Sequence, residues 1–144
     1  MKESSLLVRP FQEDDEEALV PLWEMCKLTV PWNNPHKDIA RKLKVQSDLF
    51  LIGYLEDKLI ASIIAGYDGH RGWIYYFAVH PDFQSRCYGN QLMNYVENKL
   101  RELGCPKINL QIREGNDKVF SYYQKLGFVE EKRINMGKRI ENDQ

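Results

Sequence analysis

Apolar residues along this chain follow two different periods, and the change from one to the other marks its secondary structure. Leu6–Arg9 predicts a short strand, while Leu49–Leu55, Leu59–Gly66 and Trp73–His80 are longer runs rich in β-branched and aromatic residues. Glu56–Lys58 predicts a tight hairpin between the first two long runs. We therefore expect three successive antiparallel strands at the centre of a sheet.

Helical periodicity occurs in four further segments, where apolar residues recur three or four positions apart. The third of them ends at Gly104, a residue typical of helix C-termini. Helices are predicted over Ala18–Cys26, around Ile39 and Leu43, over Leu92–Leu103 and over Asp117–Leu126, and further strands over Lys107–Ile112 and, as one or two strands, Phe128–Ile140. The order β-α-α-β-β-β-α-β-α-β, with an optional last strand, predicts an α/β protein. Its sheet should be mixed, mostly antiparallel and six- or seven-stranded, with about four flanking helices.

Composition narrows the function classes. The 144 residues are 43% hydrophobic and 28% charged, which fits one domain over residues 1–144. A net charge of −1 argues against nucleic acid as a partner, and no apolar run is long enough for a membrane span. His36 and His80 lack the spacing of metal ligands, so we expect no metal. Three widely spaced cysteines favour a reducing, cytoplasmic location.

The segment Val79–Asn90 carries the strongest chemical signal. It combines a strand end, a short polar loop with one cation and one glycine, and the start of a long helix. Such a junction directs backbone N–H groups and the positive end of a helix dipole at one point, which suits a pyrophosphate. A small residue at Gly89 would let a phosphate approach the backbone. Because every βα unit has such a junction, this signal alone is weak.

Two motifs in this region and beyond it resemble the GNAT superfamily of N-acetyltransferases. Gln84–Gly89 resembles its (Gln/Arg)-x-x-Gly-x-(Gly/Ala) signature, and Asn116 with Tyr122–Phe128 resembles its downstream Asn…Tyr-x-x-x-Gly-Phe motif. The predicted element order matches the fold of that family over nearly the whole chain. Further segments resemble a small bacterial subgroup called YpeA, namely Pro31–Pro35, Ala65–Gly72, Gly104–Ile108 and Gly137–Ile140.

The resemblance implies a site for acetyl-CoA as co-substrate. The sheet would split near its fourth and fifth strands, and the pantetheine arm would bind the exposed backbone at a bulge around Phe77 and Val79. The pyrophosphate would meet the N–H groups of residues 86–90, and Asn116 would contact the pantetheine or cap a helix. The residues implied in the phosphate loop are Gln84 and Arg86, whose side chains would donate, with Cys87, Tyr88, Gly89 and Asn90.

Cys87 departs from the signature, because it stands where the family has its first glycine. If this position requires a positive φ, its Cβ costs on the order of 1 kcal/mol and the thiol narrows the phosphate site. The alternative is a small residue in an ordinary right-handed turn. The departure also keeps a second function open: a non-catalytic acyl-CoA-binding or regulatory domain on the same fold.

The implied reaction is direct acetyl transfer to a primary amine of a small molecule, peptide or protein. Tyr123 matches the general acid of the family, although its helical face would also suit the core. The carboxylates that relatives use as bases are absent, since Trp73 and Gln111 stand at those positions. The remaining candidates for a base are Tyr75 or Tyr76 through water, Glu24, Asp68 and His70.

Acceptor specificity is expected from two segments, Thr29–Lys37 and the loop Tyr67–Gly72. Trp32 would form one wall of the acceptor pocket or fill space under its connector. Glu24, Asp68 and Asn33 would favour a cationic amine over an anionic one. The sequence leaves a homodimer open.

Overall fold

A computed structural model describes residues 5–143 of the chain. Its strands are β1 (Leu7–Pro10), β2 (Phe50–Leu55), β3 (Lys58–Tyr67), β4 (Gly72–Val79) and β5 (Ile108–Leu110). Its helices are α1 (Glu16–Met25), α2 (Pro35–Lys42), α3 (Tyr88–Glu102) and α4 (Asp117–Lys125). The predicted order of elements is confirmed as far as α4.

The strands form one mixed sheet in the order β1-β2-β3-β4-β5. The first four strands pair antiparallel with their neighbours, and β5 lies parallel to β4. Each local sequence explains its element: Glu56 adopts a positive φ of 55° in the two-residue turn between β2 and β3, and Gly104 adopts 84° just after α3. The predicted α/β class and mostly antiparallel sheet are confirmed.

The sheet separates two apolar cores. Under α1 and α2, Trp23, Leu19 and Ile39 pack on Phe50 and Ile52 of β2. The residues packed under α3 and α4 include Leu92, Met93, Val96, Leu100 and Tyr123, against Ile60 and Ile63 of β3. Side chains alternate along β2, where Phe50 and Ile52 reach one core and Leu51 reaches the other.

The prediction of six or seven strands was wrong, because residues 128–140 form no strand. Their large apolar side chains are exposed, for example Val129 by 80% and Ile134 by 92%. Four consecutive charged residues, Glu130–Arg133, leave little apolar surface to bury, and the segment meets the β5 region through the side-chain pairs Lys107–Glu131 and Gln111–Asn135. In residues 5–143, no helix is long and apolar enough to cross a membrane.

Candidate functional site

The sheet opens along one edge of β4. Its pairing with β5 covers only Gly72 to Ile74, which face Ile108 to Leu110, while β4 continues to Val79. Five residues of β4 therefore extend past the described pairing, a length of roughly 16 Å at 3.3 Å per residue. This opening is the split between the fourth and fifth strands that the sequence analysis predicts.

A β-bulge lies within this free stretch. The register of β4 against β3 jumps from Ile64↔Tyr75 to Ser62↔Ala78, so Tyr76 and Phe77 together oppose Ile63. Tyr76 has a φ of 50°, in the left-handed region that non-glycine residues rarely adopt. The resemblance implies a bulge around Phe77 and Val79; the structure has it at Tyr76 and Phe77, where β4 carries one more residue than β3.

A buried hydrogen-bond chain holds the bulge from the α1 side. Trp23 Nε1 donates to Ser62 Oγ at 2.8 Å, and Ser62 Oγ donates to the carbonyl oxygen of Tyr76 at 2.9 Å. The Trp23 ring also stacks on the Tyr76 ring, with centroids 3.9 Å apart. Trp23 and Ser62 are fully buried, so both polar groups depend on this chain for their partners.

The loop after β4 enters α3 through two left-handed residues. Ser85 has a φ of 64°, and Cys87, the residue before the first turn of α3, has a φ of 68°. The interpretation of Cys87 as an ordinary right-handed turn residue was wrong, because the helix entry here needs the conformation that glycine adopts most easily. Left-handed residues at alternate positions of a loop are typical of nests, which are concave groups of backbone N–H donors that bind anions.

The first hydrogen bond of α3 runs from Gln91 N to the carbonyl oxygen of Cys87. The N–H groups of residues 88–90 precede it and are available at the helix N-terminus. The first turn of α3 holds no acidic residue that would repel an anion there. Gln84, predicted as a donor to phosphate, donates its Nε2 to the carbonyl oxygen of Val79 at 2.9 Å and so ties the loop to the end of β4.

Two cations flank this loop, one of which the sequence analysis missed. Arg86, a predicted site residue, lies with its guanidinium 5.8 Å from the Phe83 ring centroid. Lys58, at the start of β3, places its ammonium 5.3 Å from the same ring. Lys58 is 28 positions away from Arg86 in the chain, and only the pairing of β3 with β4 brings the two together.

Gly89 makes a close contact that explains its size. A Cβ on Gly89 would lie 2.7 Å from Tyr122 Oη and 3.3 Å from Phe77 Cζ. Tyr122 Oη in turn donates to Asn90 Oδ1 at 3.0 Å. The glycine therefore lets α3 approach α4 and β4, which is a packing role in addition to the predicted access of phosphate.

Tyr123 lies at the centre of an aromatic group beside the free stretch of β4. It is 9% exposed, and its ring centroid is 6.1 Å from that of Phe77 and 5.6 Å from that of Phe128. Burial raises the pKa of the Tyr123 hydroxyl, and the neighbouring Tyr122 raises it further. The hydroxyl therefore stays protonated at neutral pH and can act only as a proton donor there.

Other predicted residues lie near this group in different roles. Tyr88 is buried, packs edge-on against Phe83, and leaves only its backbone for a ligand. Asn90 uses its side-chain oxygen for Tyr122. Asn116 caps α4, since its Oδ1 accepts from the N–H of Val119 at 3.4 Å, which is the second of the two roles expected for it.

The candidates for a general base fall in separate places. Asp68 forms a turn, because its Oδ1 accepts from the N–H groups of His70 and Arg71, and these bonds hold the pKa of its carboxyl below the usual range. Glu24 lines a groove between α1 and α2 with other acidic residues. Tyr76 differs from these two candidates in that its hydroxyl is bonded to a carboxylate: it donates to Asp38 Oδ2 at 2.6 Å.

The segment between α1 and α2 is joined to the C-terminal residues. Arg139 donates to Asn33 Oδ1 at 2.7 Å, and Arg41 donates to both oxygens of Asp143 at 2.7 and 2.9 Å. Residues 137–141 and 143 line a cavity of about 630 Å³ with Arg41. Trp32 is 54% exposed, so its predicted role as a filler under the connector was wrong.

The fold and this junction define the class of protein. The chain belongs to the acetyltransferase (GNAT) family, whose sequence model matches residues 8–128. It is 47% identical over 136 residues to an acetyltransferase of Pectobacterium atrosepticum, covering 94% of this chain and 96% of that protein. An acetyltransferase of Sodalis glossinidius is 46% identical over 138 residues, covering 95% and 97% respectively.

Solved structures share the fold at low sequence identity. An aminoglycoside antibiotic 6'-N-acetyltransferase of Acinetobacter haemolyticus superposes with a TM-score of 0.75 at 18% identity, covering 94% of this chain and 99% of that one. The ribosomal-protein-S18-alanine N-acetyltransferase of Escherichia coli gives a TM-score of 0.69 at 19% identity, covering 89% and 80%. The resemblance to the GNAT superfamily is confirmed, and the chain is an acetyltransferase by family.

Proposed function

We propose that the protein transfers an acetyl group from acetyl-CoA directly to the nitrogen of a primary amine on a small molecule, peptide or protein. One observation carries the proposal: the free edge of β4, its bulge at Tyr76 and Phe77, and the N-terminus of α3 follow one another along a single path. Tyr123 lies beside that path. The named N-acetyltransferases among the structural neighbours support transfer to nitrogen.

The residues present fit the carrier. Backbone N–H groups of residues 86–90, with Arg86 and Lys58 nearby, offer the donors and positive charge that a pyrophosphate needs. The backbone of Phe77 and Val79 offers the unpaired strand edge that an amide-bearing arm can join as an added strand. Bound there, acetyl-CoA supplies an activated thioester carbonyl.

Tyr123 acts as general acid in this proposal. Its phenol stays protonated at neutral pH because burial disfavours the phenolate, so a proton is available for the departing CoA thiolate. No covalent bond to the enzyme forms, and Cys87 and Cys105 are not nucleophiles. Asn116 caps the helix that carries Tyr123. In this proposal its side chain also contacts the pantetheine.

We also propose that residues 1–144 act as one catalytic domain in the cytoplasm, without metal, nucleic acid or membrane as a partner. Three free cysteines support the reducing compartment. Residues 5–143 contain no group of three His, Cys, Asp or Glu side chains placed to hold a metal ion. A homodimer stays open.

Calorimetric titration with acetyl-CoA tests the carrier site, with dephospho-acetyl-CoA and acetyl phosphate as controls. We expect micromolar binding of acetyl-CoA and no response to acetyl phosphate. Absence of binding would refute the proposal. Tyr123→Phe then tests the acid: we expect turnover to fall roughly 100-fold or more while acetyl-CoA binding stays within about twofold. Tyr95→Phe on α3 is the matched control and should change neither.

A non-catalytic acyl-CoA-binding or regulatory domain is the second candidate. It is favoured by Cys87, an exposed cysteine whose backbone is left-handed inside the proposed phosphate loop. Binding of acetyl-CoA without turnover of any amine by the unmodified protein would support this candidate. Turnover that depends on Tyr123 would exclude it.

A further inference from the structure

A carboxylate outside the family motifs meets the bulge of β4. Asp38, on α2, accepts a hydrogen bond at Oδ2 from the hydroxyl of Tyr76 at 2.6 Å. The Asp38 side chain is 26% exposed, so it combines a fixed partner with access from solvent. The Tyr76 ring cannot move freely, because it is stacked on Trp23. The carboxylate is therefore held at a defined place beside the bulge.

Asp38 keeps capacity for another partner. A carboxylate has about four lone-pair positions, and Asp38 uses one for Tyr76 and one for a single contact with Arg41 at 3.3 Å. Arg41 has shorter contacts elsewhere, since it forms a two-point pair with Asp143 and lies 3.3 Å from Glu141. Three carboxylates thus share one Arg41 guanidinium, and a further cation beside Asp38 would be attracted.

The position of Asp38 matches the reacting end of the proposed carrier path. Tyr76 and Phe77 are adjacent residues of the bulge, and Phe77 contacts the aromatic group around Tyr123. β5 pairs with Gly72 to Ile74 of β4, so the free edge of β4 ends at Tyr75 and the path closes there. A carrier that enters at α3 and follows β4 therefore reaches Tyr76, whose hydroxyl contacts Asp38 of α2 on the face of the sheet that packs under α1 and α2.

We propose that Asp38 binds the ammonium group of the acceptor and takes its proton, with Tyr76 positioning the carboxylate. This inference rests on the proposed acetyl transfer, and it assigns the acceptor as an alkyl primary amine that arrives as a cation. Such amines have a reference pKa of about 10.4, so at neutral pH they need a group that removes a proton.

The proton and electron balance is complete. The ammonium gives one proton to Asp38, and the freed lone pair attacks the thioester carbonyl carbon. The C–N bond forms, the C–S bond breaks, and the thiolate receives a proton from Tyr123. The amide nitrogen loses its second proton, which restores the Tyr123 phenol through solvent, and Asp38 releases its proton to solvent.

The substitution Asp38→Asn separates this role from a structural one. Asparagine keeps an oxygen that accepts from Tyr76 at the same place, but it has neither the charge nor the basicity. If Asp38 only supports the bulge, activity should be retained. We expect instead that kcat/KM for the acceptor falls at least roughly 100-fold, while acetyl-CoA binding by calorimetry stays within about twofold. Asp57→Asn, in the exposed β2–β3 turn, removes the same charge and should change neither.

The assay follows CoA release with three named acceptors: 1,4-diaminobutane, a lysine-containing peptide with a blocked N-terminus, and a peptide with a free N-terminus. Raising the pH by two units below the pKa of the amine raises its neutral fraction roughly 100-fold. With 1,4-diaminobutane and the lysine peptide, activity of Asp38→Asn should therefore recover toward that of the parent between pH 7.5 and 9.5. The neutral fraction of the free N-terminus, with a reference pKa of about 7.7–8.0, rises only about threefold over this range, so little recovery is expected with that acceptor. Tyr76→Phe should lower kcat/KM for the acceptor less than Asp38→Asn does.

Each outcome decides between the two proposals. Failure of the parent to bind acetyl-CoA refutes the proposed function itself. Binding of acetyl-CoA by the parent with turnover of none of the three amines, or of the free N-terminus alone, overturns the acceptor class assigned here. If turnover by Asp38→Asn stays within about threefold of turnover by the parent, the proposed role of Asp38 is overturned. Acetyl transfer itself is then unaffected.

Discussion

The contact between Gly89 and Tyr122 gives the sharpest test of the site geometry. In Gly89→Ala the new Cβ would lie 2.7 Å from Tyr122 Oη, closer than any stable contact. The Tyr122 ring is restrained by Phe77, with centroids 6.2 Å apart, and its hydroxyl is bonded to Asn90. The clash must therefore be relieved by moving the tyrosine or the start of α3.

The expected cost follows from two opposing effects. Overpacking by one methyl group costs about 1–3 kcal/mol, and alanine regains up to about 1 kcal/mol over glycine in a helix. We expect Gly89→Ala to lower the free energy of unfolding by about 1–2 kcal/mol. In a chain of this length that corresponds to a fall in Tm of roughly 3–8 °C.

The hydroxyl oxygen alone causes the closest contact, which makes a double-mutant cycle decisive. Phe77 and Val79 would lie 3.3 and 3.4 Å from the new Cβ, distances that small shifts accommodate. In a Tyr122→Phe background, Gly89→Ala should therefore cost less than about 0.5 kcal/mol, which gives a coupling energy of about 0.5–2 kcal/mol.

Urea denaturation of the four proteins of the cycle measures this coupling. Gly137→Ala is the control, because its Cβ would have no neighbour within 4 Å. Equal costs for Gly89→Ala with and without the Tyr122 hydroxyl would refute the geometry.

Three further substitutions test the loop, the bulge and the C-terminal contact. Cys87→Gly should raise the free energy of unfolding by about 0.5–1 kcal/mol in urea denaturation, because relief of the left-handed strain exceeds the added entropy of the unfolded chain. Ser62→Ala should cost about 1–3 kcal/mol by leaving Trp23 Nε1 unpaired, and KM for acetyl-CoA should rise severalfold as the bulge loosens. Hydrogen bonds from Arg41 hold the pKa of Asp143 at about 2, below its usual 3.8. The stabilisation by this carboxylate is therefore present above pH 4 and lost as the pH falls to 2, so the stability difference between parent and Asp143→Asn should shrink over that range in urea titrations.

The controls for these substitutions separate chemistry from conformation. Cys87→Ala removes the thiol but keeps the Cβ, so a gain in stability equal to that of glycine would contradict the conformational reason. Ser121→Ala, on the exposed side of α4, should leave KM for acetyl-CoA unchanged. A parent–variant difference that stays constant from pH 5 to 2 would contradict the pairing of Asp143.

The sequence predicts most of the fold because its elements have strong local signals. The long strands are dense in apolar residues, and helix ends are marked by residues such as Gly104 that typically follow a helix C-terminus. The closing strands were predicted wrongly, because apolar residues in Phe128–Ile140 give a strand signal that the charged Glu130–Arg133 outweighs. No local sequence pattern shows whether the edge strand of a sheet pairs with a further strand.

The candidate site, like the fold, was predictable only where its residues lie in one continuous segment. The proposed phosphate loop and Tyr123 lie in contiguous motifs, so their positions follow from the sequence. Lys58, Asp38 and Ser62 reach the site only through strand pairing and helix packing, and each looks like an ordinary surface or strand residue in its own segment. A sequence signal for them would need pairs of positions that vary together.

The bulge in β4 places neighbouring residues on opposite faces of the sheet, which bears on how the specificity of such an enzyme evolves. Tyr76 packs in the core under α1 and α2, whereas its neighbour Phe77 packs in the core under α3 and α4. In the proposed function, the acceptor side and the carrier side share these two backbone residues and otherwise rest on different helices. If amines are acetylated as proposed, substitutions in α1, α2 and their connector alter which amine is accepted without rebuilding the proposed carrier site, so the two specificities can diverge independently.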